Sequence, residues 1–160
     1  MKTAELTGAL LDYWVARADP DMNEIRWERQ GDDWVGFSTI GSSPEFPALI
    51  ATNASSLRDR FALINKHSGA TIYEPRRSWA QGGPIIERER INFATIGTGP
   101  AGDNGKAPIV AIPEEGRRAM EGPTHLVAAM RAYVASKFGD EVPDDPAASH
   151  DMLKGETNAG

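Results

Sequence analysis

The sequence predicts an α+β domain, a small antiparallel sheet packed with three or four helices, on three observations. Apolar residues recur at helical spacing near both ends of the chain, and short apolar or alternating runs lie between them. Glycine and proline, 16 and 11 of the 160 residues, interrupt the chain too often for long elements.

The first helix is expected from Thr3 to about Ala18. Leu6, Leu10, Tyr13 and Trp14 form its apolar stripe, which Leu11 and Val15 widen. Thr3 is a suitable N-cap, Glu5 complements the dipole, and Pro20 stops the helix. Glu24 to Arg29 and Trp34 to Ile40 flank Gln30-Gly31-Asp32-Asp33, a turn-forming run, and so read as a hairpin. Gly41 to Pro47 is loop, and Ala48 to Ala51 a short strand. Asn53 caps a second helix that reaches about His67 on Leu57, Phe61 and Ile64, with Gly69 beyond its end. Thr71-Ile72-Tyr73 reads as one more strand.

Ser78-Trp79-Ala80-Gln81 has the pattern of a capping box, which opens a helix at Trp79 running to Glu89. Gly82-Gly83-Pro84 conflicts with it, since an interior glycine costs about 1 kcal/mol and a proline about 3. Either the helix kinks there or it begins with Pro84 at its first position. Ile91 to Ile96 and Ile109 to Ile112 read as strands around the loop Gly97 to Pro108. The last helix starts at Pro123, carries Leu126, Val127, Met130, Val134 and Phe138 on one stripe, and stops at Gly139. Ala128, Ala129, Ala132, Ala135 and Ser136 line its other side. Side chains this small admit a second element closely, and a homo-oligomer through the Ala128/Ala132/Ala135 face is one way to supply it.

The formal net charge is −6, from 17 Lys+Arg and 23 Asp+Glu. Asp140 to Gly160 holds six acids and one base, so this stretch carries −5 and the rest of the chain −1. With two prolines and no aromatic, residues 142–160 cannot bury enough apolar surface to offset their ordering entropy, and they read as an acidic, flexible tail on a single domain, 1–141. An acidic protein lacks the footprint for generic binding to duplex nucleic acid. The absence of cysteine excludes disulfides, thiolate nucleophiles and zinc ribbons. No run is long and apolar enough for a membrane span, and no export signal opens the chain, so the expected compartment is the cytoplasm.

Most catalytic motifs fail on context. Gly97-Thr98-Gly99-Pro100-Ala101-Gly102 matches the dinucleotide fingerprint, but a loop follows where a helix N-terminus must meet the pyrophosphate. His67, His125 and His150 lack metal-ligand spacing, although His125, in the first turn of the last helix, can face a pocket. Neither Glu87 and Glu89 nor Glu114 and Glu115 stand out from solvated surface acids. No cofactor and no metal are expected.

A cluster of arginine and aromatic residues remains, with Tyr73, Arg76, Arg77, Trp79, Gln81, Arg88 and Arg90 close together. Arginine is the planar cation suited to phosphate forks and to stacking, and 12 of the 17 basic residues are arginine. An aromatic ring offers a base a stacking surface, and the amides of a Gly-Gly turn can cradle an anion. These features suit a small anionic, nucleotide-like ligand held by Arg76, Arg77, Trp79, Gln81, Gly82, Gly83, Arg88 and Arg131. The simpler reading is that Tyr73 and Trp79 belong to the core and the arginines pair with Glu74, Glu87 and Glu89.

Three blocks, Lys2 to Ala16, Trp79 to Glu89 and Gly122 to Val142, together about a third of the chain, resemble the NinX-like family of bacteriophage and prophage proteins. Residues 20–72 and 97–121 show no likeness by inspection. The resemblance implies an accessory phage protein in a bacterial host, with helices packed around a small sheet in an α/β/α sandwich-like arrangement, and it implies no established activity. With no acid, base or metal named, the expected role is non-catalytic: sequestration of a nucleotide-like ligand that serves host defence. The alternative is a module that binds and redirects a host or phage replication or defence protein. An enzyme that degrades a nucleotide signal is the third and weakest option.

Overall fold

The computed structural model describes residues 1–20, 22, 25–30, 33–39, 47–52, 55, 57–59, 61, 71–95, 108–114 and 118–144. Their fold is α+β, with two small sheets where the sequence suggested one. In the first sheet, β1 (Arg26–Gln30), β2 (Asp33–Thr39), β3 (Pro47–Ala51) and β4 (Thr71–Ile72) follow chain order. β1 and β2 form the expected hairpin, β2 and β3 are antiparallel, and β3 and β4 are parallel. The second sheet is an antiparallel meander of β5 (Asn92–Thr95), β6 (Ile109–Ile112) and β7 (Met120–Gly122).

The helices α1 (Gly8–Ala18), α2 (Trp79–Glu89) and α3 (His125–Phe138) accompany them. The first departs from the expected span. Thr3–Glu5 is a separate 3₁₀ turn, and α1 starts only at Gly8 behind Thr7. Thr3 does not cap α1. It is fully buried, donates its hydroxyl to the Gly139 carbonyl at 2.7 Å, and so fastens the chain's start to the end of α3.

The alternation of β3 sorts the layers. Ile50 joins the main core with Leu11, Trp14, Val15 and the buried side of α3, while Leu49 and Ala51 face a smaller cluster with Val35, Leu57, Phe37, Phe61 and Ile72. Residues 55, 57–59 and 61 are helical, as expected, and supply Leu57 and Phe61 to that cluster. The layers therefore run from this helical segment through the first sheet, α1 and α3 to the second sheet. Each large aliphatic side chain buried in these layers contributes about 1.5–3 kcal/mol.

The alanine side of α3 also departs from expectation. Ala128, Ala132 and Ala135 are fully buried within this chain, and β6 and β7 pack on α3. The element that the small side chains admit is the protein's own second sheet, so this face is closed to a partner subunit. Val142, where the tail was expected to begin, is buried, and its N–H donates to the Met1 carbonyl at 2.9 Å. Residues 145–160, the Gly97 to Gly102 run and the ends of the second expected helix lie outside the described residues.

Candidate anion-binding site

α2 and α3 lie side by side and point the same way. Contacts between them advance in step: a β-carbon on Gly82 would meet the Leu126 side chain, Arg88 reaches Tyr133, and Lys137 lies 3.6 Å from Glu89. Parallel helices add their dipoles, with a positive pole where both begin and a negative pole where both end.

At the positive pole is a hollow of about 490 Å³ lined by Arg76, Arg77, Trp79, Thr124, His125, Leu126 and Val127. Trp79 opens α2, and Thr124 caps α3 by accepting the Val127 N–H at 3.1 Å. Neither helix has an acid in its first turn, where one would complement the dipole. The amides of Trp79, Ala80, His125 and Leu126 make no hydrogen bond among the described residues. Trp79 is 58% exposed, its ring tilted 45° to that of His125 at 6.5 Å, and the rings of His125 and Phe93 meet in a T-shaped contact with centroids 4.9 Å apart. The core reading thus holds for Tyr73, which is buried, and fails for Trp79.

The turn that carries both arginines is firmly held. Gln81 accepts the Glu74 N–H at 2.6 Å and donates to the Ile72 carbonyl at 3.0 Å. That use replaces the expected capping box: Ser78 occupies the N-cap position, but its side chain makes no cap bond. Arg77 is exposed and lies 3.9 Å from Glu74. Arg76 is bound to Asp12 through its backbone N–H at 3.2 Å and its Nε at 2.8 Å. The two acids are absent from the lining, which holds two cations and no anion.

The other residues singled out by sequence do other work. Gly82 is buried, its N–H bonds the Ser78 carbonyl at 2.8 Å, and a β-carbon there would stand 2.5 Å from the Pro75 carbonyl oxygen. It is therefore a packing glycine and offers no amide to a ligand. Gly83 and Pro84 lie inside α2, so of the two arrangements read from the sequence the helix begins at Trp79 and runs through the proline. Arg131 donates to the carbonyls of Leu6 at 2.8 Å and Glu121 at 2.9 Å, which ties the start of the chain and β7 to α3. Burial lowers its pKa.

Arg88 lies at the negative pole. A cleft of about 520 Å³ there is lined by Arg88, Glu89, Glu114, Arg118, Tyr133, Lys137 and Phe138, among others. Its cations are engaged by the protein: Arg88 with Asp19 at 3.3 Å and with Glu89, Lys137 with Glu89, and Arg118 with the Ala135 carbonyl at 3.1 Å. Cations at helix C-termini complete the negative pole, which is a structural role. Burial and the nearby Asp19 carboxylate push Tyr133 up to about 12 and Tyr73 higher still, so both phenols stay protonated.

Sequence reasoning missed Thr124 and Asp12. Gly122-Pro123-Thr124 before an apolar run is a recognisable cap signal. The sign of Asp12 was a lone acid amid Leu10, Leu11, Tyr13, Trp14 and Val15. Among the described residues no group of three His, Asp or Glu side chains is placed to hold a metal, and no helix is long and apolar enough to cross a membrane.

The family model described as Bacteriophage P22, NinX matches residues 2–137. That range takes in residues 20–72 and 97–121, where inspection found no likeness. No curated protein matches the chain.

Proposed function

The chain belongs to the NinX family of bacteriophage proteins, and from that premise we propose that it is a non-catalytic phage accessory protein that binds a small anionic, nucleotide-like ligand at the start of α2 and α3. One observation carries this reading: two arginines stand at the shared positive pole of two helices that have no acid in their first turns. Cations at a helix N-terminus are unfavourable to the protein alone, and an anion relieves them. Trp79 gives the ligand's planar part an exposed ring, and the free amides of both helices face its charge. Capture of a nucleotide signal by such a site would deprive a host defence that depends on it.

Calorimetry with a panel of linear and cyclic nucleotides tests the proposal. Binding that weakens in Trp79→Ala supports it, and the absence of heat with every member rules it out. A second reading, a module that binds a host or phage protein, is favoured by the same exposed Trp79 beside Arg77, since tryptophan and arginine are the usual anchors of protein interfaces. A stoichiometric partner lost in Trp79→Ala, with no response to nucleotides, distinguishes that case.

A further inference from the structure

Asp12 is unusual in its surroundings. It stands in the middle of α1 between buried Leu11 and Tyr13, and it is itself 3% exposed. Burying a carboxylate costs several kcal/mol unless its geometry with a partner is excellent, and apolar residues of similar size often serve stability as well or better. Some other requirement should therefore favour an acid here.

Its contacts indicate that requirement. One carboxylate oxygen accepts the backbone N–H of Arg76 and the other accepts Nε. A single side chain thus fixes both the main chain and the guanidinium of one residue, sixty-four positions away. The choice of nitrogen matters. An arginine fork offers a carboxylate or phosphate two edges, one that includes Nε and one made of the two terminal nitrogens. Asp12 occupies the Nε side. The terminal nitrogens have no partner among the described residues, and Arg76 lines the hollow.

We propose that Asp12 is a positioning residue for the anion site: it holds Arg76 by its Nε side so that the opposite, two-nitrogen edge is presented to a phosphoryl group of the ligand. This role rests on the reading of the hollow given above. It narrows the ligand class, because an end-on arginine edge matches two oxygens of one phosphoryl group, whereas a lone halide or a neutral nucleoside gains little from it.

The test is calorimetry of the whole chain with adenosine diphosphate and, as the control without phosphate, adenosine. It compares wild type, Asp12→Asn, Arg76→Gln and the double variant, each shown to be folded by circular dichroism. The double variant buries no unpaired charge and guards against loss of fold in Arg76→Gln. Asp12→Asn should weaken diphosphate binding about tenfold, or about 1.4 kcal/mol. The double variant should bind no more weakly than Arg76→Gln alone, since a residue that acts through Arg76 has nothing to act on once Arg76 is gone. A purely structural role would weaken binding equally in both backgrounds and would overturn the proposal, as would wild-type affinity in folded Asp12→Asn. No heat from wild type with adenosine diphosphate or with any other member of the nucleotide panel overturns the reading of the hollow and the positioning role together, whereas undiminished affinity in Asp12→Asn beside a wild type that binds overturns the positioning role alone.

Discussion

A β-carbon on Gly122 would lie 2.5 Å from the backbone nitrogen of Ala128. β7 therefore runs against the main chain of α3 at a distance that only glycine permits. The obstructing atoms are backbone and cannot swing aside as a side chain would. Gly122→Ala should cost about 2–3 kcal/mol, within the range for overpacking. Chemical denaturation measures it, and a loss under about 0.5 kcal/mol, the size of an ordinary surface change, would show that β7 can move away.

Tyr73 donates its hydroxyl to Asp19 at 2.8 Å, and Asp19 also faces Arg88, which reaches the Tyr133 hydroxyl at 3.2 Å. Tyr133 in turn donates to the Ala18 carbonyl at 2.9 Å. The end of α1 is thus pinned to the segment between β4 and α2, to α2 and to α3. Tyr73→Phe keeps the ring and removes a hydrogen bond to a charged group, for which about 1.5–3 kcal/mol is expected. Because none of Tyr73, Asp19, Arg88 and Tyr133 lines the hollow, ligand affinity should be unchanged, and a parallel loss of both would contradict that separation.

Burial raises Asp12 from 3.8 to about 7, against the opposing pull of Arg76 and with a smaller push from Glu74. A carboxyl whose folded pKa exceeds its unfolded one holds its proton more tightly when folded. Its contribution to stability is full below about 4 and is lost as pH rises through about 7, with a slope of at most about 1.4 kcal/mol per pH unit. Wild-type unfolding free energy, less that of Asp12→Asn, should therefore fall between pH 4 and 7 and then level off. A flat difference curve would show that Asp12 is ionised throughout.

The parts of the fold legible in the sequence were those specified locally. The hairpin β1/β2 announced itself through its turn residues, and the end of α3 at Gly139 through its C-terminal stop. β7 was not legible, because Met120-Glu121-Gly122 is too short for a periodic signal and is a strand only because β6 and α3 lie beside it. The site divides in the same way. Residue type brought Arg76, Arg77 and Trp79 to notice correctly as neighbours, but Arg88 and Arg131 went with them on type alone. Which arginines are consumed by Asp19, Leu6 and Glu121 depends on contacts between distant segments, and spacing along the chain cannot report those.

Trp79 offers the sharpest separation of stability from function. At 58% exposure it contributes little to the core, so Trp79→Ala should alter the unfolding free energy by no more than about 0.5 kcal/mol. If its ring stacks on a base, the same substitution should weaken nucleotide binding by about 1–3 kcal/mol, roughly fivefold to 150-fold. Arg77, exposed and only loosely paired with Glu74, acts by charge, so Arg77→Ala should weaken binding and also flatten its dependence on salt. Trp79→Ala should leave that salt dependence intact, since stacking is not screened. Titrations at two salt concentrations distinguish the two roles, and a Trp79→Ala protein that unfolds, or that binds as wild type does, would remove the stacking role from this residue.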